Sequence, residues 1–290
     1  MTFNEWQNSG DFIQINGHEI FYRDTGSDKP AILVLHGYPS STHDFHRVLP
    51  LLASRYRLIL HDHLGFGLSD KPSDYSYSLI DQADIAVKLW QKLGIKQGVL
   101  LAHDYGTSIA TELIARHNSD WLPLQISQVV LSNGSMRIEL AKPRLIQHLL
   151  MHAQLGPFIA KLSTKKTLLQ NMRKIWGNSD TIHSEDMDVM WTMLEHNQGR
   201  KVLPKITQYI RERFVFWHRW IGALRSTSLP IHYIWARLDP VAREIIATTL
   251  HRETPNSTLH LLDGIGHYPM LEAPDIWGAA VLNCLESEKA

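Results

Sequence analysis

The 290-residue chain has one cysteine, no excess of either charge and no apolar run of membrane-spanning length. Each shortage excludes something. A lone Cys284 cannot close an internal disulfide, and it shares a helical apolar stripe with Trp277, Val281 and Leu285, which makes it a packing residue rather than a nucleophile. Lys plus Arg is 29 and Asp plus Glu is 29, so nothing points to nucleic acid or an acidic membrane as partner, and the substrate need not be charged. The N-terminus, Met1 to Trp6, has neither a basic start nor a long apolar stretch, and a soluble, cytoplasmic protein without a membrane span is expected. No histidine and carboxylate cluster has ligand spacing such as His-Glu-x-x-His, so neither metal nor cofactor is expected. Internal repeats and low-complexity linkers are also missing, and nothing specifies an oligomeric state.

What is present is a series of short apolar runs. Phe12 to Ile15 and Glu19 to Arg23 flank Asn16-Gly17, a dipeptide that favours the positive φ angles of a tight hairpin turn. Then come Ala31–Leu35, Arg57–Leu60, Gly98–Ala102 and Gln128–Leu131, separated by segments long enough for helices, and later Ile231–Trp235 and Thr258–Leu262. Continuous apolar runs suit strands covered on both faces, so the pattern predicts an α/β fold with a mostly parallel central sheet. Between Ser135 and Leu229 no strand-like run occurs. Met187, Met190, Trp191 and Leu194 recur there at helical spacing, as do Ile206, Tyr209, Ile210 and Phe214. The expected organisation is a core of residues 1–134 and 230–290 with an inserted helical cap, 135–229, over the strand ends, where ligands of open α/β sheets bind.

Ala102-His103-Asp104-Tyr105-Gly106 lies between a strand-like run and a helical pattern containing Ile109, Ala110, Leu113 and Ile114. A sharp strand-turn-helix junction strains its central residue and needs small residues two positions away, here Ala102 and Gly106. The usual central serine is replaced by Asp104, at a helix start that favours negative charge. Serine must lose a proton before it attacks, whereas an aspartate, with a reference pKa of ~3.9, is already a nucleophile at neutral pH. Attack on a carboxylic ester would give an anhydride; attack on saturated carbon bearing a leaving group gives an ordinary ester. The expected substrate is therefore a small apolar alkyl compound, with water as second reactant. An isolated aspartate here could equally cap the helix, so its partners decide the reading.

His267 follows the last strand-like run, in Asp263-Gly264-Ile265-Gly266-His267-Tyr268-Pro269, and Asp239 lies on the loop leaving Ile231–Trp235. The chain order Asp104, Asp239, His267 is nucleophile, acid, histidine. Asp239 would orient His267, which would take a proton from the water that attacks the Asp104 ester. Asp239 before Pro240 could also be only a turn former. Backbone N–H groups of Tyr38, in His36-Gly37-Tyr38-Pro39, and of Tyr105 are the expected oxyanion-hole pair, with His36 a structural residue. The turn-rich Asp62–Pro72 segment lacks a phosphate-loop lysine and is expected to be structural.

The HGYP, DHLGFGLSDKP, HDYG and GHYP segments together resemble the epoxide hydrolase and haloalkane dehalogenase branch of the α/β-hydrolases. More narrowly, Ala102–Gly106, Leu131-Ser132-Asn133-Gly134, Gln208-Tyr209-Ile210 with Trp220–Leu224, and Leu238-Asp239-Pro240-Val241 are similar to the mesoderm-specific transcript proteins, a group of hydrolases with uncertain substrates. Where haloalkane dehalogenases place tryptophan after the nucleophile and asparagine after His-Gly, this chain has Tyr105 and Tyr38. Epoxide hydrolases follow His-Gly with an aromatic residue and proline, as Tyr38-Pro39 does, and use cap tyrosines to protonate the opening ring. The resemblance thus implies an epoxide hydrolase forming diols, with Tyr209 as cap donor and no second tyrosine near Arg219-Trp220-Ile221. Packing is the other use open to Tyr209. Haloalkane dehalogenation is the alternative, with Trp176, Trp191, Trp217 or Trp220 as halide donors, and a non-catalytic interaction protein on the same scaffold is the third possibility.

Overall fold

A computed structural model describes residues 1–286, so the expected core segment 230–290 is described up to residue 286. Eight strands form one sheet: β1 (Asp11–Ile15), β2 (His18–Asp24), β3 (Ala31–Leu35), β4 (Arg57–His61), β5 (Gln97–His103), β6 (Gln125–Ser132), β7 (Ile231–Ala236) and β8 (Ser257–Leu262), in the order β1-β2-β4-β3-β5-β6-β7-β8. The β1–β2 and β2–β4 pairs are antiparallel and the rest parallel. Asn16 and Gly17 turn the opening hairpin at φ 54° and 83°, as the dipeptide predicts. β3, β4, β5 and β7 are buried almost throughout, consistent with helices on both faces. Register brings Leu35 beside Ala102, His103 beside Ser132, and Ser132 beside Ile234. The loops leaving β3, β5, β6 and β7 therefore start at nearly one level, which is what lets residues far apart in sequence converge.

Between β6 and β7 the regular elements are all helical. Residues Ser184–Glu195 form one helix, with Met187 and Met190 buried as their spacing predicts. The Ile206 to Phe214 stripe differs from expectation. The chain forms two short helices, Leu203–Ile206 and Tyr209–Val215; Tyr209 and Ile210 are buried, but Phe214 is 60 % exposed and Arg213 takes the inward position. An arginine four residues after Tyr209 shares its face, and this one has partners at the end of β5 and in the helix after it that make its burial tolerable.

The helix Tyr105–His117 is buried all round as far as Ala115 because the helix Trp217–Ser226 covers its outer side. The two are locked together at Glu112. Its carboxylate, 2 % exposed, accepts from Arg116 Nε at 2.9 Å, Arg219 Nε and Nη2 at 2.7 and 2.9 Å, and Trp220 Nε1 at 2.9 Å. Cys284 is buried, and burial pushes its thiol up to about 11, away from reactivity. No helix among the described residues is long and apolar enough to cross a membrane.

Removing the Glu112 carboxylate leaves two guanidinium groups and an indole N–H without their shared acceptor. Glu112→Ala is expected to cost about 2–4 kcal/mol, lowering Tm by roughly 5 °C or more, whereas an alanine at exposed Glu185 should leave Tm within a degree or so; differential scanning calorimetry distinguishes the two.

Candidate active site

Asp104 sits at the end of β5 with φ 43° and ψ −106°, a left-handed conformation strained for a residue with a Cβ. Although it occupies the N-cap position, its side chain makes no capping hydrogen bond. The tight geometry explains the small residues around it. A Cβ on Gly106 would lie 2.2 Å from the Leu35 carbonyl oxygen, and one on Gly37 would lie 2.7 Å from His103 Nδ1. Both glycines permit the close approach of backbone that brings the loop after β3 against the elbow.

That approach delivers a donor: Tyr38 N–H gives a 3.0 Å hydrogen bond to Asp104 Oδ2. The Tyr38 peptide is held from behind, because its carbonyl accepts from Tyr268 Oη at 3.1 Å and Tyr268 adjoins Ser40 Oγ, which donates to the buried Asp44. Tyr105 begins the helix, so its N–H is among the first-turn donors without an intrahelical acceptor. His36 uses both ring nitrogens structurally: Nδ1 donates to the Gly37 carbonyl at 2.8 Å, and Nε2 accepts from His63 N–H at 3.0 Å. Asp62 likewise serves its loop, accepting from Thr42 and Leu68 N–H at 2.8 Å each.

Asp239 and His267 are brought together. Asp239 Oδ2 lies 2.6 Å from His267 Nδ1 and both side chains are buried. Asp239 also forms the turn its Asp-Pro context suggests, for Oδ1 accepts from Val241 and Ala242 N–H at 2.7 and 3.0 Å. Turn former and histidine partner are thus one side chain. Burial alone would raise the Asp239 pKa, but the His267 charge and hydrogen bond, Asn133 and the turn N–H groups outweigh it and hold it below the ordinary value. Burial alone would lower His267; the charge and hydrogen bond of Asp239, with the further charge of Asp104, raise it to about 8 instead. The His267 carbonyl accepts from His103 Nε2 at 2.7 Å, which ties the histidine loop to the residue before the nucleophile.

Two participants are not evident in the apolar periodicity. Asn133, at φ 44° just after β6, donates to Asp239 Oδ2 at 2.9 Å and accepts from Ala236 N–H at 3.0 Å, so it aims the acid. The signal in the sequence was its place beside the strand ends, within Leu131-Ser132-Asn133-Gly134. Arg213 is the second: Nε donates to Ser108 Oγ at 2.8 Å, Nη2 to the Asp104 carbonyl at 3.3 Å, and Nη2 lies 3.9 Å from Asp104 Oδ1. Its guanidinium covers the Tyr209 ring, 4.5 Å from the centroid. In a run of Arg, Glu and Arg, one buried cation has no distinguishing signal except its i, i+4 relation to Tyr209.

Asp104, His267 and Tyr38 border one cavity of about 270 Å³, whose walls include Ile146, Leu150, Ile159, Leu168, Met172 and Trp191. Tyr209 is not among its lining residues; it lies fully buried between the rings of Tyr38 and Tyr105, 5.5 and 5.0 Å away, and its Oη accepts from Gln147, which does border the cavity. Burial, and then the Asp104 charge, push the Tyr209 hydroxyl up, so it stays protonated. Of the four candidate tryptophans, Trp191 alone borders the cavity. Trp176, Trp217 and Trp220 give their N–H groups to Thr181, Glu139 and Glu112. No group of three or more His, Cys, Asp or Glu suited to a metal ion occurs among the described residues.

If Asp239 and Asp104 together hold His267 near 8, Asp239→Asn should lower the histidine's pKa below its ordinary 6.5, because burial then acts with less opposition. Imidazole NMR titration of the two proteins measures this directly; an unchanged midpoint would remove Asp239 from the account.

The α/β-hydrolase fold family matches residues 30–274. The mesoderm-specific transcript protein of Mus musculus is 37 % identical over 94 % of this chain and 84 % of its own length. LipZ of Mycobacterium tuberculosis, whose name assigns it to the hydrolases without a substrate, is 36 % identical over 98 % of both chains. Among solved structures, the haloalkane dehalogenase DbeA of Bradyrhizobium elkani superposes with a TM-score of 0.82 at 21 % identity, covering 97 % of this chain and 98 % of its own. The epoxide hydrolase CorEH does so with a TM-score of 0.77 at 17 % identity, covering 96 % and 99 %. With a single sheet carrying the elbow and a family match over residues 30–274, this chain belongs to the α/β-hydrolase fold family, with the mesoderm-specific transcript proteins among its relatives.

Proposed function

We propose that the protein is a hydrolase acting through a covalent alkyl ester of Asp104, and that its substrates are small apolar epoxides, which it opens to diols. The observation that carries this reading is the presence of a carboxylate at the strained elbow, facing the same apolar cavity as His267, which Asp239 holds from behind. An Asp104 oxygen attacks a ring carbon, the carbon–oxygen bond breaks, and the developing alkoxide takes a proton from Tyr209, whose hydroxyl must first leave Gln147 and turn into the cavity. His267 then removes a proton from water, whose oxygen attacks the ester carbonyl; the oxyanion is met by the N–H groups of Tyr38 and Tyr105, collapse expels the alkoxide, which takes the proton from His267 to leave as the diol, and the proton of the regenerated Asp104 carboxyl returns to Tyr209. The helices between β6 and β7 act as a cap that keeps bulk water from the cavity.

Electrostatics favours this sequence of events. While Asp104 is anionic it helps keep His267 protonated; once esterified it is neutral, and that support disappears. The histidine therefore releases its proton more readily in the intermediate, where a base is required. Arg213 remains beside Asp104 throughout and balances the free carboxylate, the form regenerated at the end of each turnover.

Dehalogenation by the same nucleophile is the second reading, supported by Trp191 at the cavity wall. Its weakness is that the other three tryptophan N–H groups are already bonded. Both readings predict that His267→Gln accumulates the ester, so intact mass spectrometry should find an adduct that Asp104→Ala abolishes. An epoxide-derived adduct supports the first reading, and an adduct formed from bromoalkanes alone, with bromide released, selects the second. No adduct from either panel would favour a non-catalytic interaction protein. Tyr209→Phe should slow alkylation by about 10²-fold or more with little change in ester hydrolysis; single-turnover rates for the two steps test it, and equal effects on both would exclude Tyr209 as the ring proton donor.

A further inference from the structure

The helices over the cavity are unevenly charged. From Lys142 to Lys174 the chain holds seven of its 29 Lys/Arg and none of its 29 Asp/Glu, so the remainder is net negative by seven although the whole is neutral. The same stretch leaves large apolar side chains in solvent: Leu145, Leu155, Phe158 and Leu162 are 74, 46, 60 and 57 % exposed. In the helix Leu155–Leu162, residues 155, 158 and 162 follow helical spacing on the outer side, while Gly156 and Ala160 are buried on the inner one. Lys161, Lys165 and Lys166 beside this stripe are all exposed; Lys165 is paired with Asp188, which leaves Lys161 and Lys166 as the cations available to a partner.

This surface is continuous with the cavity. Leu162 both faces solvent and borders the cavity that holds Asp104 and His267, and Ile159, Ser163 and Thr164 border it too. An apolar opening fringed by lysines suits one partner in particular. A second copy of the chain would set one basic face against another, with like charges opposed. An anionic phospholipid surface offers phosphates to the lysines and acyl chains to the leucine and phenylalanine side chains.

We propose that the face formed by Leu155, Phe158, Leu162 and the flanking lysines docks on anionic lipid bilayers, lying on the membrane without crossing it, and that apolar substrate passes from the bilayer into the cavity beside Leu162. The docking half of this inference stands apart from the Asp104 chemistry. The passage of substrate rests on the cavity being the reaction site, as proposed above.

Co-flotation of the full chain with phosphatidylcholine vesicles, with and without phosphatidylglycerol, tests it. Anionic vesicles at low salt should carry the protein at least about tenfold more strongly than neutral ones, and high salt should release it. Two surface variants outside the catalytic machinery separate the contributions: Phe158→Ser and the pair Lys161→Glu with Lys166→Glu should each weaken partitioning about tenfold or more while far-UV circular dichroism stays unchanged. Equal binding to both vesicle types, or partitioning unaffected by either folded variant, overturns the proposal. So does dimerisation abolished by Phe158→Ser in sedimentation runs without any vesicle binding, which would assign the patch to a second copy. Failure to form an Asp104 adduct would overturn the proposed chemistry but leave the flotation result intact. An adduct with flotation absent would do the reverse.

Discussion

The rest of the site depends on one steric bargain, the left-handed turn at Asp104. An L-residue at φ 43° is strained by of order 1–3 kcal/mol, and such strain persists only where the surroundings leave no alternative. Here they do not: the loop after β3 presses on the elbow so closely that Gly37 and Gly106 have no room for a methyl group. The same closeness sets Tyr38 N–H on the carboxylate and His103 on the histidine loop. A looser junction would relieve the backbone and separate all three.

Charge is organised just as tightly. Four buried ionic groups lie at the elbow, of which Asp104 and His267 border the cavity: the carboxylates of Asp104 and Asp239, the Arg213 guanidinium, and His267 with its raised pKa. Burying any of them alone would cost several kcal/mol, so each is tolerable because the set is nearly neutral and hydrogen-bonded. A change of one charge at Asp104 must then be felt at His267. Coupling of this kind needs no movement of the backbone, only the short distances already in place.

Much of this was legible in the sequence. Asn16-Gly17 marked the hairpin, apolar runs marked the strands, and the elbow composition marked Asp104 before any partner was known. Asp239 and His267 were found by position at strand ends, since seventeen histidines make residue type alone uninformative. The misses have a common cause. Arg213 and Asn133 act across elements that meet only after folding, and local periodicity carries no record of such meetings. Periodicity also assigned Phe214 inward on apolar character alone, whereas the break between Ile206 and Tyr209 and the acceptors on Asp104 and Ser108 turned Arg213 inward instead. Tyr209 is a subtler case: its stripe correctly marked it as buried, but not that its hydroxyl would meet the cavity only through Gln147.

Arg213 has one more consequence, for how such proteins diversify. Helical insertions in a sheet scaffold look like interchangeable modules, joined to the core at two points and free to be replaced between relatives. In this chain the helical segment between β6 and β7 supplies the counter-charge for the Asp104 carboxylate and, through Arg219 and Trp220, three of the hydrogen bonds to Glu112 on the helix Tyr105–His117. An exchanged insertion lacking a cation at the Arg213 position would strand a buried anion at the elbow, so the two parts of this sequence are constrained to change together.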